Sequence, residues 1–109
     1  MLESLFGNRT AEQVLLYLQT CEEGYARQIA RTFEVPLNAV QKQFRRFEDG
    51  GVLLSRTVGR TRVFTWNPRY PFKEPLRELL SRALEYLPES EKRAYYRQRR
   101  CPRRSGKPT

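Results

Sequence analysis

Hydrophobic and polar positions in the first half of the chain repeat with a helical period. In residues 37–49, Leu37, Val40, Phe44 and Phe47 recur at spacings of three and four and form one stripe, while Asn38, Lys42, Arg45 and Arg46 fall opposite. Gly50-Gly51 stops this helix. Before it, Ala26, Ile29, Ala30 and Phe33 repeat at i, i+3, i+4 and i+7, which predicts a short helix whose alanines let a neighbour approach closely. Glu34-Val35-Pro36 is the turn between the two, and Pro36 suits a first helical position. Earlier still, Ala11, Val14, Leu15 and Leu18 form an inward stripe. That helix is expected to begin near Thr10, where Thr10 and Gln13 have the spacing of a capping box. Glu22-Glu23-Gly24 reads as a connection.

After Gly51 the pattern changes. Val52 to Val58 and Thr61 to Trp66 are rich in β-branched and apolar residues, and Gly59-Arg60 between them fits a type II′ hairpin turn. Asn67-Pro68 ends the second strand. Tyr70-Pro71-Phe72 leads to a fourth long helix, roughly Lys73 to Leu87, with the widest apolar face in the chain: Leu76, Leu79, Leu80, Ala83, Leu84 and Leu87. Pro88 interrupts it. Residues 89–100 are able to form another helix, but Arg93, Arg97, Arg99 and Arg100 and a weak apolar period predict that packing alone does not hold it. Cys101 to Thr109 is expected to be disordered when unbound.

Charge sharpens this picture. The 109 residues carry a net charge of +9, and it is unevenly placed. Residues 36–71 hold seven basic and two acidic side chains, and residues 93–109 hold seven basic and none acidic. Two concentrated basic patches suit a polyanion better than general solubility does.

Other chemistry is sparse. There is no histidine, and Cys21 and Cys101 are the only cysteines, so no structural zinc site, metal or cofactor is expected. Cys21 reads as a small buried apolar residue; a disulfide stays open, and no flanking motif points to a redox switch. Without a phosphate-cradling glycine loop or a nucleophile motif, no catalytic residues and no enzymatic activity are expected. The start Met1-Leu2-Glu3-Ser4 lacks the pattern of a signal peptide and no apolar run approaches a membrane span, so a soluble cytoplasmic protein without a membrane partner is expected.

The stretch from Val35 to Leu53 resembles the recognition-helix region of winged helix-turn-helix regulators of the ArsR/MarR type. A turn residue, Val40, Lys42, an apolar residue and the pair Arg45-Arg46 lead into Glu48-Asp49 and Gly51-Val52-Leu53. Leu5-Phe6-Gly7 and Asn67-Pro68-x-x-Pro-Phe resemble a branch often encoded beside nucleotidyltransferase-like proteins. The resemblance spans about Leu5 to Leu87. It implies a mainly α fold with a small β-hairpin: a winged helix-turn-helix with an additional C-terminal helix. The expected division is a DNA-binding domain over residues 1–70, a helical dimerisation segment over 71–100 and a basic tail over 101–109.

Carried onto this chain, the resemblance puts Asn38, Ala39, Lys42, Arg45 and Arg46 at the groove of double-stranded DNA, with Gln41 and Gln43 flanking, and Arg56, Arg60 and Arg62 on the wing. Many relatives have Ser or Thr where Ala39 stands, so one polar base contact is missing. Metal-sensing relatives carry a Cys-x-Cys motif that this chain lacks. Leu76, Leu79, Leu80, Ala83, Leu84 and Leu87 are expected to form a homodimer interface, placing two reading helices about 34–36 Å apart. The expected function is sequence-specific DNA binding as a dimeric transcriptional regulator. The alternative is a winged-helix adaptor for a protein partner such as a nucleotidyltransferase-like protein; a third is structured RNA bound through the tail. Gly106-Lys107-Pro108 faintly resembles an AT-hook, and Tyr95 and Tyr96 read as packing residues or as platforms for bases.

Overall fold

The computed structural model describes residues 1–97 and residue 101. The chain runs α1 (Glu3–Phe6), α2 (Arg9–Cys21), β1 (Glu23–Gly24), α3 (Ala26–Phe33), α4 (Leu37–Asp49), β2 (Leu53–Val58), β3 (Thr61–Trp66), α5 (Lys73–Tyr86) and α6 (Glu89–Tyr95). The expected mainly helical fold with a small β element is borne out. The tail beyond Cys101, with its faint AT-hook, lies outside the described residues.

Helix α2 is the axis of the molecule. Ala11, Val14, Leu15, Leu16, Tyr17 and Leu18 are all buried, so it is covered on nearly every side rather than along one stripe. Helix α4 packs on it through Val40 and Phe44, and α5 through Leu80 and Ala83, all within one hydrophobic core. Each large side chain sunk here contributes about 1.5–3 kcal/mol. The Trp66 indole N–H donates to the Leu18 carbonyl at 3.2 Å, which ties the sheet to α2 in the buried interior.

Several local expectations are corrected. The cap of α2 is Asn8, not Thr10: its side chain accepts from the Ala11 N–H at 2.8 Å, and Gln13 Oε1 has no partner among the described residues. Pro36 is the residue before α4 rather than its first turn. The Glu22-Glu23-Gly24 connection becomes an edge strand: the sheet is antiparallel in the order β1-β3-β2, with Glu23 opposite Thr65 and Gly24 opposite Phe64. Gly24 is needed there, because a Cβ on it would lie 2.9 Å from Tyr17 Cε1.

The apolar stripe of α5 also divides. Leu80 and Ala83 are buried in the protomer's own core, and Leu76, Leu84 and Leu87 are half-buried against it. These five are largely used by the fold. Leu79 points outward, together with Phe72 and Tyr86.

The C-terminal segment differs most from expectation. Residues 89–95 are helical and do pack: the Tyr95 and Tyr96 rings lie 4.9 and 5.7 Å from that of Phe33. Burial pushes the Tyr96 hydroxyl far above its usual range, and the carboxylates of Glu12 and Glu91 add to this, so the phenol stays neutral. Cys21 is not a free apolar residue. It is disulfide-bonded to Cys101, 80 residues further on, with Cα atoms 5.5 Å apart.

Candidate nucleic-acid interface

Helix α4 sets the geometry of the basic face. Val40, Gln43, Phe44 and Phe47 turn into the protein, leaving Asn38, Lys42, Arg45 and Asp49 along one outward line. None of the ion pairs among the described residues uses Lys42 or Arg45. Asp49 stands at the C-terminal end of that line. Lys42 and Arg45 carry the positive charge near the middle of that line, and the free amide N–H groups of the helix start add to it. Ala39 is half-buried and Gln41 is exposed toward the hairpin.

The hairpin is docked onto α4 by packing and by a polar clamp. The Phe44 and Phe64 rings stack with centroids 4.0 Å apart and planes inclined by 5°. The Ser55 hydroxyl donates to Glu48 Oε2 at 2.5 Å and accepts from Arg62 Nε at 2.9 Å. Below the clamp, the Asn67 amide donates to the Gly51 carbonyl at 2.8 Å and fixes the hairpin's base to the end of the helix. The turn is two residues long, with Val58 opposite Thr61 and Gly59 at φ +62, as a type II′ turn requires of its first position.

Register separates the wing arginines. Thr57 pairs with Arg62 and Ser55 with Phe64, so Arg62 shares the α4-facing side of the sheet. Arg56 pairs with Val63 on the other side and reaches across β3 to Glu23 at 3.2 Å. Arg60 sits at the tip. Between α4, the start of α3 and the hairpin lies a concave groove of about 890 Å³, lined by Tyr25, Arg27, Gln41, Arg45, Arg60 and Arg62 above Phe44 and Phe64. Glu48 is its one acidic lining residue, and its carboxylate accepts from Ser55 and pairs with Arg62 at 4.0 Å.

The expected site residues therefore do not all converge. Gln41, Arg45, Arg60 and Arg62 meet at the groove, with Asn38 and Lys42 on the adjoining outer line. Arg46 turns the other way: Nη2 donates to the Phe6 carbonyl at 2.5 Å, Nη1 to Gln43 Oε1 at 2.9 Å, and the guanidinium lies 5.1 Å from the centre of the Phe47 ring. Gln43, expected to flank the reading face, is buried as the acceptor for Arg46. Arg27 and Tyr25 were not anticipated. The signal for Arg27 was present, because it follows Ala26 directly and so sits off the inward stripe at the start of α3.

No protein-family model and no curated protein matches the chain. The fold is similar to that of Lactococcus lactis ZitR in an apo-form double mutant, with a TM-score of 0.54 and 13% identity over 77% of this chain and 72% of that one. It is equally similar to a MarR-family transcriptional regulator from Rhodococcus sp. RHA1, with a TM-score of 0.54 and 15% identity over 82% of this chain and 69% of that one. The chain thus has the winged-helix fold of these regulators. Among the described residues, no helix is long and apolar enough to cross a membrane.

Proposed function

We propose that the protein binds double-stranded DNA in a sequence-dependent way as a dimeric transcriptional regulator. In this reading α4 lies in the major groove with its N-terminal half toward the bases. Asn38, Gln41, Lys42 and Arg45 face the duplex, while Arg27, Arg60 and Arg62 hold phosphates or reach the neighbouring minor groove. The observation that carries the reading is the groove itself, in which four guanidinium groups from three separate elements face one concave space whose single carboxylate is occupied. The likeness in fold to a transcriptional regulator supports it.

For the dimer we propose a face different from the full leucine stripe. Leu79 and Tyr86 are exposed two helical turns apart on one outward line of α5, and Phe72, seven residues before Leu79, is exposed at the residue that precedes the helix. Such a seam suits a second copy of the same helix in antiparallel orientation, in which Phe72 of one protomer meets Tyr86 of the other. Leu79→Glu should then give folded monomers in sedimentation, with a melting temperature that no longer depends on protein concentration; a dimer that survives would remove α5 as the interface.

The DNA reading is tested by selecting bound duplexes from a random pool and measuring affinity for the preferred and a random duplex at two salt concentrations. Lys42→Ala should cost about 1–3 kcal/mol on the preferred duplex and clearly less on the random one. Equal losses would assign Lys42 to phosphate. Absence of any duplex binding at about 0.1 M salt would sink the reading in favour of a protein partner.

A further inference from the structure

The disulfide lies outside the groove and the proposed function makes no use of it. It joins the last residue of α2 to a residue beyond α6, at a Cα separation of 5.5 Å that fits an ordinary bridge. What it fastens is otherwise weakly held. Helix α6 has seven residues and none of them is buried, far below the length at which a helix is stable alone. Its other ties are exposed: Arg9 to Glu91 at 4.0 Å, Arg97 to Glu89 at 2.5 Å, and Lys92 to the Glu85 carbonyl at 3.2 Å. Such pairs contribute little.

The remaining tie is aromatic. Tyr95 and Tyr96 rest on Phe33, the last residue of α3, and Tyr17 meets the same ring edge-on at 6.4 Å. The segment therefore lies against the helix that precedes the turn into α4. Cys21 packs half-buried at the margin of the core built from α2, α4 and α5. Cys101 is half-buried as well, so a small thiol reaches the bond from solvent.

We propose that Cys21 and Cys101 form a reversible thiol–disulfide site, a latch that fastens α6 and its two tyrosines over Phe33 when oxidised and releases them when reduced. The reductant is a small dithiol. One of its thiolates attacks a sulfur of the bridge and forms a mixed disulfide, and the displaced cysteine leaves as a thiolate that takes up a proton. The second thiol of the reductant then attacks the mixed disulfide, frees the other cysteine and closes the reductant's own S–S bond. Two electrons and two protons pass to the protein, and the reductant loses the same number. Oxidised glutathione reverses the exchange, ending as two glutathione thiols. The latch does not rest on the DNA reading.

The test uses the full chain, equilibrated with oxidised glutathione or with dithiothreitol, and counts its thiols. No free thiol is expected in the first state and two per chain in the second, and re-oxidation should restore the bridge within each chain. Limited chymotrypsin should cut after Tyr95 and Tyr96 about tenfold or more faster in the reduced protein. Cys101→Ser should be cut at the fast rate under both conditions. Thiols that stay free in oxidised glutathione, a bridge found only between two chains, or equal cleavage in the two states would overturn the proposal. Duplex binding is followed in the same samples. Its absence in both states would count against the DNA reading and leave the latch intact.

Discussion

The two flanks of α4 differ in kind. On the wing side, Phe44 stacks on Phe64, and Glu48, Ser55 and Arg62 form a clamp at the rim of an open cationic groove. On the other side, Arg46 is consumed by the Phe6 carbonyl, Gln43 and the Phe47 ring. Arg45 and Arg46 are neighbours in sequence and alike in chemistry. A turn of about 100° per residue sends one to the groove and the other to the protein's own N-terminal helix. The basic pair of α4 is thus divided between the open groove and a tie to the N-terminal helix.

This contrast is most severely tested by Phe44→Ala. It removes both the wing stack and a buried ring, so the protein should lose about 3–5 kcal/mol of stability in denaturant unfolding. A loss below 1 kcal/mol would mean that the wing is not held by this contact.

The next test sets the paired arginines against each other. Arg45→Ala should weaken duplex binding by about 1–3 kcal/mol and leave the melting temperature unchanged. Arg46→Ala should do the reverse, lowering stability by about 0.5–1.5 kcal/mol through the lost hydrogen bonds. Identical effects of the two substitutions on affinity would erase the distinction between the flanks.

The smallest expected effects are on the wing. Arg62→Ala should lower duplex affinity several-fold and reduce its salt dependence by about one phosphate's share. Arg56→Ala breaks only the exposed pair with Glu23 and should cost about 0–1 kcal/mol of stability with no change in salt slope. A larger effect of Arg56 than of Arg62 on DNA would place the duplex on the opposite side of the sheet.

The parts of this molecule that could be read from sequence are those governed by local rules. The apolar period and the glycine pair delimit Leu37–Asp49, and the β-branched run with Gly59-Arg60 delimits the hairpin to within a residue. What escaped depends on partners distant in sequence. Arg46 finds a carbonyl 40 residues away, and Cys21 finds Cys101 80 residues away. Glu23-Gly24 becomes a strand only because β3 presents an edge to it. The breadth of the α5 stripe implies that one side packs on the core and leaves another for a partner, but spacing alone does not tell a residue facing its own core, such as Leu80, from one facing solvent, such as Leu79. Asn8 and Thr10 are both good caps, and the choice between them depends on where the chain leaves α1.

The bond between Cys21 and Cys101 also makes most of the polypeptide a covalent ring. A protease that severs the backbone once anywhere between these cysteines leaves the fragments joined as one molecule. On a non-reducing gel the nicked protein would run as a single species near the intact one, and the cut would appear as separate bands only after reduction. After any single cut inside that ring, the piece carrying α4 stays attached to the rest.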